Sequence, residues 1–328
     1  PLARSLRDAL ARPFTVQDHE FFVGASIGIA HHPEHGSWPE GLLKAADIAM
    51  YAAKERGRNG YCLFDAGMSE MANRRVVMER HLRRALESGE LSLAYQPIVA
   101  LGDGRVVACE ALARWRSAHL GEVSPERFIP LAEDTGLIYD MGDWVLAAAC
   151  ARAAAWPGRT GVSVNISPRQ FQRPERLLEA VRSALEAAGL EAGRLTLEVT
   201  ENLLLEAGPE VHAVMEELHA LGVRLSIDDF GTGFSALNYL HRYPFDALKI
   251  DRSFVRDADV DPAHGSLVRA ILAMAEALGL EVVAEGIERE AQAEFLRRDG
   301  CPLGQGFLYG TPDPCALETS AALEAPET

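Results

Sequence analysis

From residue 91 to residue 310, segments that read as strands alternate with segments that read as helices, and this alternation restricts the fold more than any other feature. The strand candidates are LSLAYQPIVAL (91–101), VVACEALARW (106–115), GVSVNIS (161–167), LTLEVTE (195–201), VRLSIDDF (223–230), ALKID (247–251), EVVAEGIE (281–288) and GQGFLYG (304–310). Between most of them lie segments with one apolar face at helical spacing. These are 175–188, with Leu177, Leu178, Val181 and Leu185; 210–221, with Val211, Val214, Leu218 and Leu221; and 266–278, with Leu267, Ile271, Met274 and Leu278. Eight strand candidates joined by helical crossovers predict an α/β fold, a (β/α)8 barrel. The first two candidates are joined by Gly-Asp-Gly at 102–104, a hairpin signal, so the barrel is expected to open with one antiparallel pair that the regular fold lacks.

In such a barrel the chemistry sits at the carboxyl ends of the strands. Those ends repeat one pattern here. Glu110 lies within ACEALARW, Asn165 ends VSVN, and Glu198 and Glu201 end LTLEVTE. Asp228 and Asp229 end LSIDD, Lys249 and Asp251 end LKID, Glu285 and Glu288 end VVAEGIE, and Gln305 begins the last strand. A single carboxylate after a strand usually caps the next helix, and Glu198 or Asp251 alone would be read that way. Together they converge on one mouth. Asp228 and Asp229 are adjacent, and desolvating two like charges side by side is costly without positive charge. Oxygen donors in this number suit hard divalent cations, Mg2+ or Mn2+, rather than zinc or copper. A shared carboxylate is a common way to hold two ions about 3.5–4 Å apart.

The bulk properties exclude other classes. Acidic residues outnumber basic ones 48 to 32, for a net charge of −16, which disfavours a nucleic-acid polymer as partner. The five cysteines show no C-x-x-C spacing, which argues against a thiolate zinc site and fits a reducing cytoplasm. No apolar run is long enough to span a membrane, and no signal peptide opens the chain.

Ahead of the barrel, residues 1–11 have helical spacing, FFVGASIGIA (21–30) reads as a strand, HHPEHGSWPE (31–40) as a solvated loop, 41–60 as an amphipathic helix and YCLFD (61–65) as a short closing strand. This portion is small for a full core. A charged helical stretch, 66–90, is expected to be the linker between two domains, with Gly89 ending it.

The motifs resemble a family. Residues 91 to about 320 are similar to the EAL domain, a bacterial phosphodiesterase for cyclic di-GMP. The signature stands as Glu110-Ala111-Leu112, and YQPIV, VNIS, LEVTEN, DDFGTGFSAL, LKIDRSFV, VAEGIE and GQGF follow in order and spacing. The first 65 residues resemble the C-terminal part of a GGDEF domain, the synthase of the same nucleotide, through VGASIGIA and ADIAMYAAKERGRNGY, without the GGDEF motif itself. The organisation expected is therefore a GGDEF fragment at 1–65, a linker helix at 66–90, an EAL domain at 91–320 and a tail at 321–328.

The resemblance implies hydrolysis of cyclic di-GMP to linear pGpG with two Mg2+ or Mn2+ ions. It assigns Glu110, Asn165, Glu198 and Asp228 to the first metal, and Asp228 and Asp229 to the second. Lys249 would hold the attacking water, and Glu285 would serve proton transfer or the second metal. Gln96, Arg114, Asp251 and Gln305 would contact the ligand. Glu201 would pin the DDFGTG loop, through its backbone or Thr232. The family often forms homodimers near that loop. Ala236 stands where a second serine is common. A silent receptor that binds without cleaving is the other reading; such domains lose metal ligands or the lysine, and all stand here.

Overall fold

A computed structural model of the chain describes residues 2–16, 19–21, 23–55, 57, 59–206, 208–231, 240 and 242–314. Two units divide it, Pro1–His81 and Leu82–Thr328. The first contains α1 (Leu2–Leu10), a hairpin of β1 (Phe14–Val16) and β2 (His19–Phe21), and β3 (Ile27–Ile29). It continues with α2 (Pro39–Glu55) and β4 (Tyr61–Leu63), which pairs in parallel with β3. Its core is small: Ala49, Ala53, Cys62 and Met68. Of the strand expected over 21–30, the described residues that form strand are Phe21, at the end of β2, and Ile27–Ile29 of β3. The long helix α3 (Ala66–Ser88) passes from one unit into the other.

The second unit is the barrel. Its strands are β5 (Leu91–Ala100), β6 (Val106–Ser117), β7 (Gly121–Val123), β8 (Gly161–Asn165), β9 (Leu195–Thr200), β10 (Arg224–Phe230), β11 (Ala247–Ile250), β12 (Glu281–Ala284) and β13 (Leu303–Gln305). They run in the order β5-β13-β12-β11-β10-β9-β8-β6, and pairing of β5 with β6 closes the ring of eight. β5 is antiparallel to both neighbours, as the Gly-Asp-Gly turn predicts. β8 to β13 run parallel to one another, and β6 parallel to β8. The short β7, not expected from the sequence, pairs with β6 outside the ring.

Both faces of a ring strand are covered, one by the barrel interior and one by helices, which is why β11 is buried at every residue. The helices are α4 (Pro125–Thr135), α5 (Ile138–Ala154), α6 (Pro174–Ala188), α7 (Glu201–Glu206), α8 (Pro209–Ala220), α9 (Arg252–Val255), α10 (Pro262–Leu278) and α11 (Glu290–Arg298). α6 shows how the sequence sets them. Pro174 sits in its first turn, Leu177, Leu178, Val181 and Ala184 are buried, and Gly189 ends it at φ +61°. The last two ring strands stop earlier than their apolar runs suggest. β12 ends at Ala284 because Gly286 turns the chain at φ +70°. After β13, Gly306 packs so closely on Ile287 that a Cβ there would lie 2.1 Å from its carbonyl oxygen. Among the described residues no helix is long and apolar enough to cross a membrane.

Candidate active site

Side chains alternate across a strand, so one residue in two points into the ring. That parity sends Gln96 of β5, Glu110 of β6, Asn165 of β8, Glu198 of β9, Asp228 of β10, Lys249 of β11 and Gln305 of β13 toward the same space, joined by Glu285 just beyond β12. Lys249 is the hub. Only 1 % of its side chain is exposed, and its Nζ lies 2.6 Å from Glu285 Oε1, 2.9 Å from Glu198 Oε2, 3.3 Å from Glu110 Oε2 and 3.5 Å from Asp228 Oδ1. Asn165 Nδ2 donates to Glu110 Oε1 at 2.6 Å, and Gln305 Nε2 donates to Glu110 Oε2 at 2.6 Å and to Gln96 Oε1 at 3.0 Å.

The charges do not balance. Burial alone would depress the ammonium of Lys249, but Glu110, Glu198, Glu285 and Asp228 together hold it protonated. Burial pushes Glu110 up, yet Lys249 and the donors Gln305 and Asn165 outweigh it and keep that carboxylate ionised. Glu198 goes the other way: burial, reinforced by Glu110 and Asp228, overrides Lys249 and raises it well above the carboxylate range. Glu285 is pushed up to about 7, chiefly by burial and further by Asp228 and Glu110. Asp229 is raised by burial and then by Asp228 and Asp251. One lysine cannot satisfy five carboxylates.

The adjacent aspartates share the mouth through a bulge. β10 pairs with β11 as Ile227 to Leu248 and then Phe230 to Ile250, so Asp228 and Asp229 together oppose the single residue Lys249. Asp229 takes φ +55°, a left-handed conformation uncommon outside glycine but better tolerated by aspartate. Its N–H donates to Asp228 Oδ1 at 2.9 Å. In a regular strand the two carboxylates would face opposite sides; the bulge removes that alternation. Carboxylate oxygens of Asp228, Asp229 and Glu285 lie within 4.8 Å of one another, the one such acidic, His or Cys cluster of three or more among the described residues. All donors are oxygen and the charge is strongly negative, so this set fits a hard divalent cation.

Glu201, which opens α7, is buried, and its Oε2 accepts the Gly231 N–H at 2.9 Å. The chain therefore ties the residue after the Asp228–Phe230 bulge to the end of β9. Thr232, Gly233 and Ala236 lie outside the described residues, as does Cys315. Two residues expected to contact the ligand make local hydrogen bonds. Arg114 is half-buried and donates to the Ala113 carbonyl at 3.0 Å. Asp251 caps α9, its Oδ1 accepting from Ser253 N at 2.9 Å and from Ser253 Oγ. Glu288 is exposed. Sequence reading missed Ser226, whose hydroxyl is buried on β10 two residues before Asp228 and has no protein partner. Its signal was present, because a serine in step with Asp228 along a strand faces the same interior.

The family profile "EAL domain" matches residues 79–312, and the profile "Diguanylate cyclase, GGDEF domain" matches residues 1–60. The chain is 43 % identical over 317 residues to the bifunctional diguanylate cyclase/cyclic di-GMP phosphodiesterase MucR of Pseudomonas aeruginosa, covering 95 % of this chain and 46 % of that protein. It is 43 % identical over 319 residues to the cyclic di-GMP phosphodiesterase NbdA of the same organism, covering 96 % of this chain and 41 % of that one. The chain thus spans less than half the length of these relatives. A solved structure titled "PaMucR Phosphodiesterase, c-di-GMP complex" superposes with a TM-score of 0.69 at 43 % identity, over 73 % of this chain and 98 % of that one.

Proposed function

The chain belongs to the EAL-domain family, with a GGDEF-domain segment at its N-terminal end, and from that premise we propose that its barrel hydrolyses cyclic di-GMP to linear pGpG with divalent cations. The observation that carries this reading is the convergence of Glu110, Glu198, Asp228 and Glu285 on Lys249, with Asp229 brought beside them by the bulge. A phosphodiester brings negative charge to the mouth, and that mouth accepts it only when cations offset its own.

In this reading Glu110, Asn165, Glu198 and Asp228 hold one Mg2+ or Mn2+, and Asp228 and Asp229 a second, with Glu285 beside it. Asn165 turns its amide oxygen inward by rotation of the side chain, since its two ends differ little in shape. Ions held by these residues would supply polarisation of the phosphoryl oxygens and a lowered pKa for bound water. Lys249 orients the attacking water through Nζ and stabilises charge that builds on the phosphoryl oxygens as the new P–O bond forms and the ester P–O bond breaks. Its four carboxylate contacts favour the charged ammonium. Glu285, pushed up to about 7 by burial, can hold or return a proton beside Nζ near neutral pH. Gln96, Gln305, Arg114 and Asp251 line the substrate side, and the Gln305–Gln96 hydrogen bond fixes both amides. Glu201 keeps the turn after Asp229 in place.

The test is incubation of the chain with cyclic di-GMP and Mg2+, followed by nucleotide chromatography. Linear pGpG is expected. Intact cyclic di-GMP that co-elutes with the protein would replace the enzyme reading with that of a receptor.

A further inference from the structure

We propose that Phe254, in the single-turn helix α9, is a positioning residue that sets how tightly the site holds a divalent cation; this rests on the reading that Asp228, Asp229 and Glu285 bind one. Asp229 stands at φ +55° and Gly231 at φ +95°, so two left-handed residues fall within three positions. Such a turn persists only where its surroundings over-determine it.

Two contacts hold Gly231 from different elements. Glu201 accepts its N–H at 2.9 Å. On the Cα side the ring of Phe254 packs so closely that a Cβ on Gly231 would lie 2.8 Å from Cε2 and 3.1 Å from Cζ. The same helix turn backs the other carboxylate-bearing turn. A Cβ on Gly286, next to Glu285, would lie 2.4 Å from Arg252 Cβ and 3.2 Å from Arg252 Cα. α9 is thus wedged against both turns that present the three clustered carboxylates.

α9 is itself fixed. Asp251 caps its start through Ser253, Val255 is fully buried, and Gln292 Nε2 donates to the Arg256 carbonyl at 2.9 Å. The helix follows β11 directly, so the wedge is anchored to the strand that carries Lys249. Phe254 is only partly buried. Its ring is therefore placed where shortening it loosens the Asp229–Gly231 turn more than it empties a core. Removing a residue that orients metal ligands costs about 10–100-fold in metal affinity.

The test uses the 328-residue chain and Mn2+ as probe. Free Mn2+ is measured by electron paramagnetic resonance, and hydrolysis of cyclic di-GMP is titrated against Mn2+ in parallel. Phe254→Ala should weaken Mn2+ binding about tenfold or more and raise the Mn2+ half-saturation of the rate by a similar factor, with the substrate KM unchanged. Phe254→Tyr, which keeps the ring but adds a hydroxyl at the Cζ edge facing Gly231, should bind Mn2+ more tightly than Phe254→Ala. Leu178→Ala, a core truncation in α6, should lower thermal stability and leave Mn2+ affinity alone. If Phe254→Ala does not fold, Phe254→Leu is read by the same criteria. Mn2+ affinity within about twofold of wild type, or an equal loss in Leu178→Ala, overturns the inference. A wild-type chain that binds no Mn2+ overturns the metal reading beneath it and the inference with it, and the wild-type arm alone reveals that case.

Discussion

Replacing Lys249 by methionine removes one charge and almost no volume, so it isolates what the ammonium does. The Nζ lies within 3.5 Å of four carboxylates and is shut off from solvent. Replacing a whole buried ion cluster with apolar groups can be neutral, but removing one partner leaves buried charge uncompensated and costs about 3–5 kcal/mol. At roughly 2–4 °C per kcal/mol for a unit of this size, the barrel transition should fall by about 6–20 °C in EDTA. Divalent cation supplies the missing charge. At a concentration of about 100 times Kd it contributes about 2.7 kcal/mol, so Mg2+ should recover much of the loss. Calorimetric melts of wild type and Lys249→Met, each in EDTA and in saturating Mg2+, measure both numbers. The rate should drop by about 10²-fold or more even where stability is recovered, because no other side chain replaces Nζ at the water, while cyclic di-GMP still binds. A melt in EDTA within about 1 °C of wild type would refute the account, since the carboxylates would then not need the lysine.

Three further outcomes are expected. Hydrolysis should stop in excess EDTA, return with Mg2+ or Mn2+, and not return with Ca2+, whose longer bonds and higher coordination number suit this tight oxygen cluster poorly; chromatography of the nucleotides after each addition decides it. Glu201→Ala should fold, lose most activity and need more Mg2+ for the remainder, because Gly231 N–H loses its acceptor; a rate titration with an unchanged half-saturation point and near-normal maximum would reduce Glu201 to a helix-start carboxylate. Burial pushes the thiols of Cys109, Cys150 and Cys301 up to about 12, 11 and 12, so peptide mapping after alkylation at pH 8 should find all three unmodified in the native chain and modified after unfolding.

Much of the barrel was legible because its signals are local. Strand and helix periods differ, and Gly-Asp-Gly at 102–104 announced the antiparallel opening. The inward residues could be named because parity along a strand is fixed once one of them is placed. The bulge was not legible. Two adjacent aspartates advertise that something offsets their charge, but a strand with ordinary alternation would part them. Only the register against β11, a tertiary property, shows both opposite Lys249. The early ends of β12 and β13 were hidden for a related reason, since GIE and GFLYG remain apolar enough to extend a strand while Gly286 and Gly306 meet neighbours brought in by the fold. Asp251 is ambiguous in the sequence, because a strand-end carboxylate is also a helix cap, and its hydrogen bonds go to Ser253.

The reversed strand β5 changes where the barrel is wired. In a ring of parallel strands the polypeptide comes in at the floor, remote from the working rim. Here Leu91 lies opposite Trp115, on the mouth side of Glu110, so the chain comes in at the rim and runs downward. The chain leaving β13 emerges on that same rim, and Tyr95 and Asp313 clasp the two leads together with reciprocal backbone hydrogen bonds of 2.9 and 3.0 Å. A twist or pull transmitted along the polypeptide into Leu91 is thus delivered at the rim, beside the clasp. The next residue along β5 after Tyr95 is Gln96, and Gln96, Gln305 and Glu110 are linked by successive hydrogen bonds of 3.0 and 2.6 Å. The lever arm from the incoming lead to the acidic mouth is half a strand long.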